Sequence, residues 1–142
     1  MGERGVRPGR VLVWVYGMFV VAAGSRSAMQ LALHADRAPL SYTLSTVAAV
    51  VYAAGFALVL RAERGGDPRQ AVIWCIVELG GVVVVGTLSL LVPSAFPDDT
   101  VWSAFGLGYG MVPLALPVLA LWWLRGLSSP DARNLPRTSR AA

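Results

Sequence analysis

The sequence predicts an all-α fold: a transmembrane bundle of four helices with the N-terminus and the C-terminus in the cytoplasm. Hydrophobic residues make up 56% of the 142 residues and charged residues 14%, which is typical of membrane proteins. Four apolar stretches have about the 20 residues needed to cross a hydrocarbon layer of roughly 30 Å. Arginines flank these stretches on one side only, as the positive-inside rule requires.

The first two predicted helices form a hairpin. Residues 1–10 are a short basic flank, and the first span covers residues 11–33. The basic start, the apolar core and the small residues 22–25 also fit a cleavable signal peptide, whose removal would not alter the orientation of the later spans. Pro39 disfavours helical geometry in the residue before it, so a second span is predicted over residues 40–60.

The third and fourth spans form a second hairpin. Residues 61–69, RAERGGDPR, are rich in turn formers and separate the two hairpins. The third span is predicted over residues 70–92 and the fourth over residues 101–124. In the loop between them, Asp99 or Thr100 can cap the fourth helix.

Two prolines, Pro113 and Pro117, are expected to bend the fourth span. Residues 125–142 form a polar tail with further prolines and arginines, and the composition predicts disorder there.

The distribution of arginine predicts the orientation. The chain has 12 basic residues, all of them Arg, and the two loops on the predicted outer side hold only Arg37. Aromatic residues favour the same orientation, because Trp and Tyr prefer the membrane boundaries. The cytoplasmic boundary is predicted to hold Trp14, Tyr16, Trp74, Trp122 and Trp123, and the outer one Tyr42, Phe96 and Trp102.

Polar side chains inside the spans define a candidate intramembrane polar site. Its members are Arg26, Gln30, Ser45, Tyr52, Glu78 and Tyr109. Most of them lie in the outer half, which suggests an outward-facing vestibule around Arg26 that admits water or a polar ligand. In the alternative interpretation, Arg26 and the hydroxyls tie the helices together by hydrogen bonds worth about 1 kcal/mol each.

Glu78 lies inside the third span, where a charge needs a partner, a proton or water. One interpretation is a proton or cation site; the other is a neutral, hydrogen-bonded group that specifies helix packing. Helix rise puts Arg26 roughly 10 Å away in depth, so a direct ion pair is not expected. Tyr52 comes out level with Glu78 and is the expected hydrogen-bond partner.

Glycines mark expected helix contacts. Gly106 and Gly110 have the small-xxx-small spacing that allows helices to approach closely, and Gly80, Gly81 and Gly86 offer the same on the third span.

Catalytic and metal-binding patterns are absent. The one His and the one Cys, Cys75, have no partners at the spacings of a triad, a metal site or a disulfide. We therefore predict a protein that is not an enzyme, with no cofactor, no metal and no nucleic-acid partner.

The run FPDDTVWSAFGLGYGMVPLALPVLALWWLR, with RSAMQLAL and APLSYTLSTVAAVVYAAG before it, resembles small four-span integral membrane proteins of actinobacteria. That family has no assigned activity, so the resemblance implies a bacterial cell-membrane location and the four-span topology. The abundance of Arg, Ala, Val, Gly and Leu without lysine favours the same source.

Two functions are compatible with these features. The first is a non-catalytic accessory or interaction subunit of a membrane complex, because short loops leave little room for chemistry. The second is a small oligomeric transporter or channel that uses the vestibule around Arg26 and a proton or cation site at Glu78. In either case the expected partners are the lipid bilayer and a membrane protein or further copies of the chain.

Overall fold

A computed structural model describes residues 7–34 and 36–129 of the chain. Within these residues the protein is all-helical, which confirms the predicted fold class. Residues 1–6 of the predicted basic flank and residues 130–142 of the predicted tail lie outside the described residues. The cytoplasmic placement of both termini is a property of the charge pattern and stays a prediction.

Three long helices agree with the first three predicted spans. They are α1 (Pro8–His34), α2 (Pro39–Glu63) and α3 (Arg69–Leu91). Each is long and apolar enough to cross a membrane. We call the end of the bundle that carries residues 36–38 and 92–99 the outer end, following the predicted orientation.

Local sequence explains where these helices begin and end. Pro39 is in the first turn of α2, where its missing N–H costs nothing. Past the end of α2, Gly65 has a φ of +91° and Gly66 donates its N–H to the carbonyl of Arg61. Glycine adopts this left-handed conformation without a steric penalty, so the paired glycines end the helix.

The fourth span differs from the prediction of one bent helix over residues 101–124. A 3₁₀ segment, Ser103–Tyr109, is followed by α4 (Val112–Ser128), and the two meet at 97°. With 17 residues, α4 extends for about 25 Å and is short for a span. Within residues 7–34 and 36–129, three helices are therefore long and apolar enough to cross a membrane, or four if the bent pair counts as one span.

The bend lies before the prolines that were expected to cause it. Ala104, Phe105 and Gly106 have left-handed backbones, and so do Gly110 and Met111. Left-handed residues cannot continue a right-handed helix, so the helix restarts only at α4, with Pro113 in its first turn. Pro117 lies within α4.

Residues 100–111, which we call the inserted segment, enter the outer half of the bundle. Val101 is fully buried and Trp102 is 4% exposed. A Cβ on Gly81 would lie 3.0 Å from the ring of Trp102, and one on Gly86 would lie 2.8 Å from the backbone N of Phe105. Gly81 and Gly86 therefore provide the predicted close approach, but to the inserted segment, whereas nothing lies within 4 Å of the Cβ position of Gly80.

The glycines of the inserted segment do not form the helix-contact face predicted for Gly106 and Gly110. Both have positive φ values, +80° and +63°, and neither belongs to a regular α-helix. Gly106 packs against the ring of Pro113. These glycines provide left-handed backbone rather than a flat helix face.

Side chains satisfy backbone donors of the inserted segment. The N–H of Thr100 donates to Ser103 Oγ, and the N–H of Trp102 donates to Thr100 Oγ1. Ser89 of α3 accepts from the N–H of Ala104 at 2.8 Å. Buried backbone without such partners is costly at membrane depth, so these hydroxyls make the irregular path stable.

We expect Gly106→Ala to lower the free energy of unfolding by about 2 kcal/mol. A left-handed residue with a Cβ costs roughly 1–2 kcal/mol by itself, and the added Cβ would lie 2.5 Å from Pro113 Cγ. Gly108→Ala is the matched control, because nothing lies within 4 Å of its Cβ position. Unfolding of both variants in the same detergent checks this, and equal stability would contradict the left-handed turn.

Candidate functional site

Arg26 is the centre of the polar region in the outer half. Its Nη1 donates to the Tyr109 hydroxyl at 2.9 Å, and its Nη2 donates to the backbone carbonyl of Asp99 at 2.6 Å. The guanidinium carbon lies 5.9 Å from the centroid of the Tyr109 ring. Nε is buried and has no hydrogen-bond partner. Among the described residues, both acceptors of this cation are neutral groups.

The inserted segment brings these partners to Arg26. Helix rise places Arg26 about 12 Å from the outer end of α1. Asp99 immediately precedes the segment and Tyr109 lies near its end, so the segment begins and ends beside the same guanidinium. Arg26 therefore stabilises both ends of a segment whose backbone is not α-helical.

Two pockets meet at the Arg26–Tyr109 pair. The first, of about 520 Å³, also includes Asp99 and residues of the inserted segment. The second, of about 470 Å³, is completed by Met29, Gln30 and Leu33 of α1. Exposed residues of both pockets, such as Gly108 and Met29, open them to the surface.

The rim of this region is acidic. Asp98 Oδ2 accepts a hydrogen bond from the Tyr42 hydroxyl at 2.6 Å, which joins the outer loop to the start of α2. Asp99 is exposed and lines the first pocket. The lining of the first pocket thus includes one basic residue, Arg26, and one acidic residue, Asp99.

Glu78 forms a separate cluster deeper in the bundle. The residue is fully buried, its Oε2 accepts a hydrogen bond from the Tyr16 hydroxyl at 2.8 Å, and its Oε1 has no partner. The Tyr16 hydroxyl also lies 3.6 Å from Cys75 Sγ. A Cβ on Gly55 of α2 would lie 2.9 Å from the Tyr16 ring, so glycine leaves room for the ring.

The expected hydrogen bond between Tyr52 and Glu78 is not formed. Tyr52 instead accepts from Trp102 Nε1 at 3.0 Å, and Tyr16 takes its predicted place. Tyr16 was expected at the cytoplasmic boundary and Trp102 at the outer one, but both are buried. They point inward because each donor finds a buried oxygen acceptor there.

Aromatic rings separate the two clusters. The Phe19 ring centroid lies 5.3 Å from that of Tyr52 and 6.1 Å from that of Tyr109. Tyr52 packs edge-on against Trp102 at 6.5 Å. We call Phe19, Tyr52 and Trp102 the aromatic layer; it lies between the pocket of Arg26 and the carboxyl group of Glu78.

The six predicted site residues do not form one site in the structure. Arg26, Gln30 and Tyr109 meet at the second pocket. Glu78 belongs to the inner cluster, and Tyr52 to the aromatic layer above it. Ser45 is fully buried on α2 and its Oγ has no hydrogen-bond partner.

Sequence reasoning missed four contributors: Tyr16, Phe19, Asp99 and Trp102. A signal existed for Tyr16, because it lies eight residues into α1 and Glu78 nine residues into α3. Both helices start at the inner end, so helix rise puts the two side chains at nearly the same depth. No comparable signal places Trp102, since its position depends on the left-handed turn.

Comparison with known proteins gives no further assignment. No protein-family model, curated protein or solved structure matches this chain. The resemblance to small four-span membrane proteins of actinobacteria therefore stays a prediction. Within residues 7–34 and 36–129, no group of three His, Cys, Asp or Glu side chains is placed to hold a metal ion.

A double-mutant cycle tests the partner of Glu78. We expect Tyr16→Phe and Glu78→Gln to show a coupling energy of about 0.6 kcal/mol, the average for hydrogen bonds within membranes. Tyr52→Phe with Glu78→Gln is the matched control and should show less coupling, because the Tyr52 hydroxyl accepts from Trp102. Unfolding free energies in mixed micelles give both values, and the reverse order would contradict the structure.

Proposed function

We propose that this multi-pass membrane protein binds a small solute with an anionic group in the pocket of Arg26 and is the recognition unit of a small transporter. The observation that carries the proposal is the guanidinium itself. It lies at membrane depth, and in the described part of the chain its acceptors are a phenol hydroxyl and a backbone carbonyl. Neither acceptor neutralises the positive charge.

Arg26 is half-buried, and a charge at membrane depth is costly and commonly marks a substrate or ion pathway. A carboxylate, phosphate or sulfate group would neutralise Arg26 and accept from its remaining N–H groups, since guanidinium binds such groups in two-point geometry. The pocket of about 520 Å³ lies in the usual size range of small-molecule sites.

The inserted segment supports the same proposal. Non-helical backbone at membrane depth occurs where it is buried in protein or lines a cavity, and broken spans form the substrate sites of many transporters. Here Thr100, Ser103 and Gly108 of the inserted segment line the pocket. Ala104 and Phe105 of this segment have left-handed backbones although they carry a Cβ, and such backbone strain is concentrated at functional sites.

The competing proposal is an accessory or interaction subunit. An apolar groove of about 720 Å³ between α1 and α2, lined by Trp14, Met18 and Phe56 among others, is compatible with a partner helix. However, any helix that lies against lipid needs an apolar face, so the groove does not favour a protein over acyl chains. The Arg26 pocket has no such general explanation, which is why we prefer solute binding.

Thermal unfolding with added anions tests the proposal. We expect sulfate, phosphate or succinate to raise the melting temperature of the purified protein, relative to sodium chloride of equal ionic strength. Arg26→Gln should weaken this binding by about tenfold or more, because hydrogen bonds to charged groups contribute roughly 1.5–3 kcal/mol. Arg26→Lys keeps the charge but not the two-point geometry, so its affinity for the anion should lie between that of the wild type and that of Arg26→Gln.

Two further variants complete this experiment. Arg64→Gln removes a positive charge at the inner end of α2, far from the pocket of Arg26, and this variant should bind anions like the wild type. Asp99→Asn removes a carboxylate at the rim and should strengthen binding. Stabilisation that is absent for every anion, or unchanged in Arg26→Gln, would overturn the proposal.

The composition of the complex extracted from native membranes in mild detergent tests the competing proposal. A stoichiometric second protein would favour an accessory role. A homo-oligomer would favour transport, and uptake of the stabilising anion into proteoliposomes would be the next measurement.

A further inference from the structure

The carboxyl of Glu78 is a second polar group inside the bundle, and it does not line either pocket at Arg26. It is fully buried near the middle of α3, with one oxygen accepting from Tyr16 and the other without a partner. In the described part of the chain, no cationic side chain contacts it. A carboxylate that is buried without a cation is unfavourable, and protonation removes this cost.

The surroundings of Glu78 determine what it can bind. The titratable groups that face it are Tyr16 from α1, Tyr52 from α2 and Cys75 from its own helix. The inserted segment contributes Trp102, which is not titratable, through Tyr52. None of these groups carries a positive charge.

A metal cation needs several converging oxygen ligands. Within the described residues, Glu78 has only the Tyr16 hydroxyl within hydrogen-bond distance. A proton needs only one carboxyl oxygen, so of the two candidate ions, proton and metal cation, this cluster fits the proton.

Contacts of the inserted segment connect the pocket to the aromatic layer. Arg26 holds the carbonyl of Asp99, and three residues further along the chain Trp102 donates to the Tyr52 hydroxyl. An anion that accepts from the remaining N–H groups of Arg26 draws the guanidinium toward itself and so weakens its hydrogen bonds to Asp99 and Tyr109. Once released from Arg26, the start of the inserted segment can move. Trp102 then moves with it, away from Tyr52, and the aromatic layer opens.

We infer that Glu78 is a proton-binding site and that its protonation is coupled to anion binding in the pocket of Arg26. The inference rests on the proposed function. When Glu78 is protonated, an O–H bond of a hydronium ion breaks, a new O–H bond forms at the carboxylate and water is left; no oxidation or reduction takes place. Anion binding at Arg26 and protonation of Glu78 favour each other, because an anion near Arg26 repels a carboxylate at Glu78 and favours the neutral acid.

The separation of Arg26 and Glu78 determines how strongly anion binding and protonation are coupled. Helix rise places Arg26 and Glu78 about 13 Å apart in depth. Two like unit charges at about that distance and an effective dielectric constant of about 20 alter each other's binding by roughly tenfold. By linkage, the anion changes proton affinity by the same factor.

Sulfate binding measured at several pH values tests the inference, because sulfate keeps its charge near neutrality. Sulfate carries two negative charges, so we expect wild-type affinity for sulfate to fall by about tenfold or more from low to high pH, as Glu78 becomes charged. Glu78→Gln, which is permanently neutral, should keep the tight affinity at every pH. Glu63→Gln at the inner end of α2 is the matched control and should retain the full pH dependence.

The outcomes separate the two proposals. If Arg26 binds sulfate but Glu78→Gln keeps the wild-type pH dependence, the proton site is overturned and the proposed function stands. If sulfate, phosphate and succinate all fail to bind, the proposed function and the coupling fall together.

Tyr16→Phe provides a second test in case Glu78→Gln does not fold. This variant removes only the hydroxyl that donates to Glu78 and so changes the balance between the acid and the carboxylate. We expect the midpoint of the pH dependence of sulfate binding to shift. An unchanged midpoint would overturn the assignment of the proton to Glu78.

Discussion

The constraint on which this structure depends is that backbone polar groups at membrane depth must be satisfied within the protein. α1, α2 and α3 meet it with their own hydrogen bonds. The inserted segment cannot, because left-handed residues interrupt it. It is therefore buried against glycines of α3, and side chains such as Ser89 and Ser103 accept from its backbone donors. The irregular path is stable only as part of this packed interior.

The polar site is a consequence of that path. The inserted segment brings the Asp99 carbonyl and the Tyr109 hydroxyl to Arg26, and the space between them is the pocket. Trp102 of the same segment donates to the hydroxyl of Tyr52 in the aromatic layer. One stretch of chain therefore contacts the candidate anion site and the layer over the candidate proton site, which gives the two sites a physical connection.

Much of the fold was predictable because hydrophobic length and turn residues act locally. Residues 40–60 were predicted as a span, and α2 runs from Pro39 to Glu63. The fourth span was not, because glycines that permit close packing also permit left-handed backbone, and nothing in the sequence marks Ala104 or Phe105 as left-handed. The same holds for the site: the sequence placed Arg26 and Tyr109 at similar depth in the outer half, whereas the partner of Glu78 required knowing which face of each helix is buried.

The central claim, that the inserted segment enters the bundle, is tested most directly by cysteine cross-linking in a Cys75→Ala background. By helix rise Gly81 lies about 15 Å below the outer end of α3, yet its Cβ position contacts the ring of Trp102. The structure predicts that Trp102→Cys is cross-linked by a short reagent to Gly81→Cys and not to Leu91→Cys. Cross-linking to Leu91→Cys alone would place Trp102 at the outer boundary and contradict the account.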